Sequence, residues 1–210
     1  MDTTIVLISV FAIFIPALIL PGPDFVAVVR SSMSRGTIAG LLTSIGVTIG
    51  LGLYASLSLL GLSAILVEYQ WLSWLVRIAG GSYLVYLGLR LLWAKPRAVS
   101  VNSECDSYDS NPLIFGFFVT LTNPKAMVLF ASVFATSVTS HTPDWLLVLM
   151  IVLVMTSAFA WYAAVAMFMS SRPVMRRFES SQHWIERAAG VCFIAIGSRV
   201  ISDARNPVTP

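Results

Sequence analysis

The chain has 210 residues, 57% hydrophobic and only 11% charged, with a formal charge of +3 and a mean hydropathy of +0.84. Ordinary globular domains carry about 25% charged residues, so there is too little polar surface here to cover a soluble core, and the composition reads as membrane-embedded. The basic residues lie between apolar runs rather than in one patch, which argues against nucleic-acid binding. Cys105 and Cys192 show neither CxxC nor metal-ligand spacing; no disulfide framework, metal site or other cofactor is implied.

No Lys or Arg precedes the first apolar run and no small-residue cleavage pattern follows it, so a cleaved signal peptide is not expected. A crossing needs about 20 mainly apolar residues. Six segments meet that in chain order: 4–34, 37–66, 71–93, 112–140, 145–170 and 184–202. The first carries Asp24, Arg30 and Arg35 toward its end, so its membrane portion is shorter than the run. The second has Gly36, Gly40, Gly46, Gly50 and Gly52 at small-residue spacing, which permits close helix approach.

In the third, Tyr83 and Tyr86 read as core or belt rather than cavity, and Arg77 as a snorkelling or helix-end residue. Ala94 to Asn111 is the one long polar linker, dividing the chain into 1–93, 94–111 and 112–210. Lys125 falls in the middle of the fourth segment. The fifth opens with Thr142 as N-cap, Pro143 at the first helical position and Asp144 in the first turn, and Pro173 marks where its helix can no longer continue. Trp71, Trp74, Trp93, Trp145 and Trp184 lie near span ends and read as interfacial anchors, and His141 and His183 fall in short loops. No soluble domain fits between the runs, and no enzyme is expected.

With the N-terminus outside, the cytoplasmic side collects Arg30, Arg35, Arg90, Lys95, Arg97, Arg172, Arg176, Arg177 and Arg187, leaving Arg199 and Arg205 outside. Basic residues favour the cytoplasmic side, so both termini are expected to be periplasmic or extracellular.

The two halves also match locally. Trp74-Leu-Val-Arg77-Ile-Ala-Gly80 parallels Trp184-Ile-Glu-Arg187-Ala-Ala-Gly190, and Gly88-Leu-Arg90 parallels Gly197-Ser-Arg199 after a one-residue gap. The first segment of each half is interrupted at proline: Pro21-Gly22-Pro23-Asp24 in one, Thr122-Asn123-Pro124-Lys125 in the other. Three spans is an odd number, so the second copy enters from the opposite side. The expected fold is an all-α integral membrane protein of six transmembrane helices, arranged as two inverted three-helix repeats, the first helix of each broken at proline. That design recurs in transporters, with the site near the midplane.

Proline removes a backbone donor and clashes with the preceding turn, and unwound backbone inside a membrane is tolerated only where protein or water satisfies it. A restarted half-helix offers free N–H groups and a partial positive charge suited to a carboxylate. Carbonyls freed on the half before it suit an ammonium, so the pair matches a zwitterion. Asp24 and Lys125 add one charge of each sign, and intramembrane charges usually mark a pathway or proton relay. Asp24 is a candidate proton carrier or, alternatively, the partner of Lys125; the residues alone leave both open.

Pro21-Gly-Pro-Asp-Phe25, Gly80-Gly-Ser-Tyr-Leu-Val-Tyr-Leu-Gly88 and Thr122-Asn-Pro-Lys-Ala126 resemble the signature segments of the LysE/RhtB amino-acid exporter family. Ser132-Val-Phe134 and Met175–Arg177 bring the likeness nearest its homoserine/threonine efflux branch. The resemblance runs essentially the full length. It implies export of an amino acid across the bacterial inner membrane in exchange for protons. It carries over onto Pro21, Gly22, Pro23, Asp24, Asn123, Pro124 and Lys125 as motif and substrate- or ion-binding positions. The implied substrate is threonine- or homoserine-like; a leucine-like or basic amino acid, or another small solute of the same superfamily, remains the alternative, and a homo-oligomer stays open. A thiol carrier would need paired cysteines at membrane depth, and a metal exporter would need intramembrane His or carboxylate clusters.

Overall fold

Prolines break the first apolar run, but not every proline does. The computed structural model describes residues 3–62, 70–93, 111–127, 129–130, 142–168 and 172–203, and among these every regular element is helical. Helix α1 (Thr3–Ile19) and helix α2 (Pro23–Arg35) meet at a 45° bend. Pro16 sits inside α1 without ending it. Pro21 and Pro23 delete two backbone donors within three residues, and Gly22 between them adopts an extended conformation. Within this run the single Pro16 leaves the helix intact, whereas the Pro21–Pro23 pair ends it.

Gly36 then turns the chain at a φ of +88°, conformational space that L side chains rarely adopt. It caps α2 and precedes α3 (Thr37–Ser56), and nothing crowds the place where its Cβ would be. Gly36 therefore serves the turn and not the helix seam expected of it.

The rest of the seam stands. Helix α3 continues into a π-helical turn, Leu57–Leu62, and runs parallel to α5 (Pro112–Leu121) at backbone distance. A Cβ on Gly46 would strike the Leu113 carbonyl, one on Gly116 the Thr43 carbonyl, and one on Gly50 would lie 2.8 Å from Thr120 Cβ. On another side α3 receives α6 (Asp144–Phe168), with a Cβ on Gly52 only 2.7 Å from Met155 Sδ. Helix α3 is thus the hub to which α2, α5 and α6 all pack.

Helix α4 (Gln70–Leu92) packs most extensively with α7 (Arg172–Asp203). The two cross antiparallel at paired glycines. A Cβ on Gly81 would come 2.9 Å from the Gly197 carbonyl oxygen, and one on Gly88 2.6 Å from that of Gly190.

Two helical stretches, Thr37–Leu59 and Asp144–Phe168, are long and apolar enough to cross a membrane, and the bent pair Val6–Ile19 with Pro23–Arg35 qualifies as a broken third. Ile78–Leu92 and Pro112–Leu121 are shorter apolar helices. Residues 63–69 and 131–141, on which the expected second and fourth spans partly rest, lie outside the described residues, as do Cys105, His141 and linker residues 94–110. So does the Arg77 side chain. Asn111, the last linker residue, caps α5 by accepting from Leu113 N at 3.0 Å, with Pro112 at the first helical position.

Three local expectations shift. Helix α6 starts one residue late, since the Pro143 carbonyl accepts from Leu146 N at 2.9 Å. Helix α7 begins at Arg172, well before the apolar run at 184, so His183 is helical and not in a loop, its ring 5.1 Å from that of Trp184. Apolarity marks the part of a helix that suits lipid, and a helix extends beyond it wherever propensity allows; Pro173 fits in the first turn. The five tryptophans expected at span ends are all exposed, and Tyr83 and Tyr86 pack ring against ring, 6.3 Å apart, on α4.

Candidate functional site

The second proline break mirrors the first. After α5 ends at Leu121, Thr122 and Asn123 leave the helix, and the chain is helical again over 124–127. Pro124 has no N–H for the Thr120 carbonyl four residues back, which takes Asn123 N at 3.0 Å instead. Asn123 caps the restarted helix: its carbonyl accepts from Met127 N at 3.2 Å and its Oδ1 from Lys125 N at 3.1 Å. The Leu121 carbonyl, which Lys125 N would have served in an unbroken helix, accepts from the Tyr54 hydroxyl at 2.8 Å.

The two breaks meet inside the fold, each contacted by the charged residue of the other. Lys125 Nζ donates to the Ala17 carbonyl at 2.8 Å and the Leu20 carbonyl at 3.2 Å. Pro21 leaves the Ala17 carbonyl without its helical donor, and the bend takes Asp24 N out of line with that of Leu20. An ammonium on these carbonyls also sits at the negative end of α1. In return, Asp24 Oδ2 accepts from Asn123 Nδ2 at 3.0 Å and Oδ1 from Thr120 Oγ1 at 3.1 Å. Asp24 lies in the first turn of α2, where the helix end is positive. It is 6% exposed, Asn123 3% and Thr120 not at all, so both oxygens are held by protein.

Asp24, Asn123, Lys125 and Gly22 line a partly open cavity between the breaks, together with Phe14, Leu18, Leu51, Leu129, Phe130 and Tyr162. Phe130 stacks on Tyr54 at 6.2 Å and tilts against Phe14 at 5.8 Å, which makes one wall aromatic. The space holds only a few waters. Of the seven residues singled out in the sequence, Gly22, Asp24, Asn123 and Lys125 line it. Pro21, Pro23 and Pro124 do not; they shape the breaks. A Cβ on Gly22 would meet Lys125 Nζ at 3.5 Å, an ordinary contact, which places Gly22 beside the lysine without demanding glycine there.

Thr120 and Tyr162 touch this site and were not singled out. A threonine or a tyrosine within an apolar run carries no local signal, and only the docking of α5 and α6 brings these two to Asp24. Glu186, on α7, is a second buried carboxylate but does not line the cavity.

The LysE type translocator family model matches residues 15–204, nearly the whole chain and both breaks. The chain belongs to this family. As a LysE type translocator it is similar to the threonine efflux protein of Escherichia coli K12, at 28% identity over 92% of this chain and 96% of that one. The threonine efflux protein of Salmonella typhi shows the same identity and coverage. An uncharacterized membrane protein of Haemophilus influenzae is 26% identical over 96% of this chain and 99% of its own. No solved structure matches this translocator significantly. Family and composition together make it a membrane transport protein.

Proposed function

We propose that this translocator exports a small neutral amino acid, threonine- or homoserine-like, from the cytoplasm across the inner membrane in exchange for protons. The observation that carries the reading is the reciprocal docking of the two breaks, which sets one carboxylate and one ammonium on a shared cavity. Lys125 has three donors and spends two on carbonyls; the third suits a substrate carboxylate. Asp24 keeps lone pairs for a substrate ammonium. Pro21, Pro23 and Pro124 hold the breaks open, while Gly22 and Asn123 complete the lining. Among the described residues the rest of the cavity carries no second carboxylate, which favours a neutral over a basic side chain.

Proton exchange is supported by the partners of Asp24. The single hydroxyl hydrogen of Thr120 has two acceptors in reach, Asp24 Oδ1 at 3.1 Å and the Gly116 carbonyl at 3.2 Å. Ionised Asp24 accepts it; protonated Asp24 donates to Thr120, which then turns to Gly116. Neither state strands a polar group. Lys125 is engaged by carbonyls, so Asp24 is left able to change charge.

The architecture we propose is six transmembrane helices in two inverted repeats, 1–93 and 112–210, joined by a cytoplasmic linker, 94–111, with both termini periplasmic. Helix directions support it: α3 lies parallel to α5 and antiparallel to α6, and α4 antiparallel to α7. The α4–α7 glycines pair as a two-fold axis requires. Gly81 and Gly88 face Gly197 and Gly190, spacings of seven residues on each helix run in opposite senses.

A potential of 100 mV supplies about 2.3 kcal/mol per charge, enough for an outward gradient of roughly fiftyfold per proton. Uptake by energised everted vesicles tests the proposal. Threonine should accumulate in vesicles carrying the protein and leak back when a protonophore is added. Accumulation that survives the protonophore would remove proton coupling, and no uptake of any neutral amino acid would remove the substrate class.

A further inference from the structure

The polar groups on the cavity are nearly all engaged. Asp24 takes Thr120 and Asn123, Asn123 also takes Lys125 N, and Lys125 takes two carbonyls. Tyr162 is the exception. It lies on α6, is 4% exposed and lines the cavity, and its hydroxyl has no hydrogen-bond partner among the described residues. Elsewhere in the fold a comparable tyrosine is satisfied: the Tyr54 hydroxyl donates to the Leu121 carbonyl at 2.8 Å. A phenol hydroxyl that opens onto the cavity rather than onto a protein partner can donate to, or accept from, whatever occupies that space. Its retention at a ligand cavity points to a partner that arrives with the ligand.

We propose that the Tyr162 hydroxyl pairs with the side-chain hydroxyl of the exported amino acid, and so selects hydroxylated substrates over apolar ones of the same size. The inference rests on the functional reading above. With the substrate's charged groups at Asp24 and Lys125, its side chain meets Phe14, Leu51, Leu129 and Phe130, none of which offers a polar atom, and Tyr162, which does. Threonine finds a partner there. Valine, which has the shape of threonine with a methyl in place of the hydroxyl, buries the phenol unpaired. A site built to bond a hydroxyl rejects the analogue lacking it for that reason. Tyr162 also neighbours the charged groups of the site, Asp24 and Lys125, and the Tyr162→Phe change alters neither charge.

The test compares threonine and valine in proteoliposomes containing wild-type protein and Tyr162→Phe. Wild type should transport threonine about tenfold more efficiently than valine, the worth of one neutral hydrogen bond. Tyr162→Phe should bring the ratio near one by losing threonine transport while keeping that of valine, which doubles as the check that the variant folds. A preference unchanged in Tyr162→Phe overturns the inference. Should the variant misfold, the relative affinities of threonine and valine for purified wild-type protein decide, and equal affinities overturn it. Threonine transport by wild type together with an unchanged ratio sinks Tyr162 alone; no transport of either amino acid by wild type sinks the functional reading with it.

Discussion

Two of the places where the first and second parts of this chain meet are made of opposite materials. Where α4 crosses α7, glycine meets glycine carbonyl twice, and the side chains around the glycines are aliphatic, Leu, Ile and Val. Where the proline breaks meet, the contact is equally reciprocal, but each half contributes an ionisable side chain, Asp24 from one and Lys125 from the other. The first arrangement brings helices close and leaves no room. The second spends Lys125 on carbonyls freed at the first break and Asp24 on the side chains of Asn123 and Thr120, and a cavity remains between them. Close contact is therefore a way to pack; it becomes a candidate site here where the backbone is broken and the two sides bring unlike charges.

Substitutions at the breaks should have the largest effect. Lys125→Ala strands the Ala17 and Leu20 carbonyls in an apolar interior, a loss of about 2–3 kcal/mol for hydrogen bonds to a charged group, and vesicle transport is expected to fall roughly a hundredfold. Asp24→Asn keeps the shape but not the charge and is expected to abolish proton-coupled accumulation, read as loss of protonophore sensitivity. Exchanging the charges, Asp24→Lys with Lys125→Asp, should not restore transport, because an aspartate at 125 would face carbonyls and a lysine at 24 would meet the donors of Asn123. Recovery in the double variant would mean the two charges serve mainly each other.

At the crossing the expected pattern is reversed. Gly88→Val drives a side chain into the Gly190 carbonyl and should cost about 1–3 kcal/mol by overpacking, seen as a lower melting temperature in detergent. Transport per folded molecule should change little, and a selective transport defect there would blur the distinction drawn between the regions. Smaller still is Thr120→Val, which removes the hydroxyl that serves both charge states of Asp24. About tenfold slower proton-coupled transport is expected, while Thr120→Ser should retain most of it.

Much of this was legible in the sequence because proline and charge are conspicuous in an apolar run. Pro21–Asp24 and Thr122–Lys125 stand out by composition alone, and the structure brings them together. What Lys125 does there was not legible: its partners are carbonyls, which every residue has, and only the three-dimensional docking names Ala17 and Leu20. Thr120 and Tyr162 were hidden for the related reason that a hydroxyl in a membrane helix usually bonds its own backbone, as Thr43 and Thr48 do here. Gly36 misled because its spacing to Gly40 fits a seam, while a positive φ, not visible in spacing, puts it in a turn.

The central claim, that substrate sits between the two breaks, is tested most directly by a single reporter cysteine on the cavity wall. Ala126→Cys, in protein with Cys105 and Cys192 replaced by serine, places a thiol beside Lys125 on the lining. Saturating threonine should slow its alkylation by N-ethylmaleimide several-fold, and an amino acid that is not transported should leave the rate alone. An alkylation rate indifferent to threonine, in protein that still transports it, would put the substrate somewhere else.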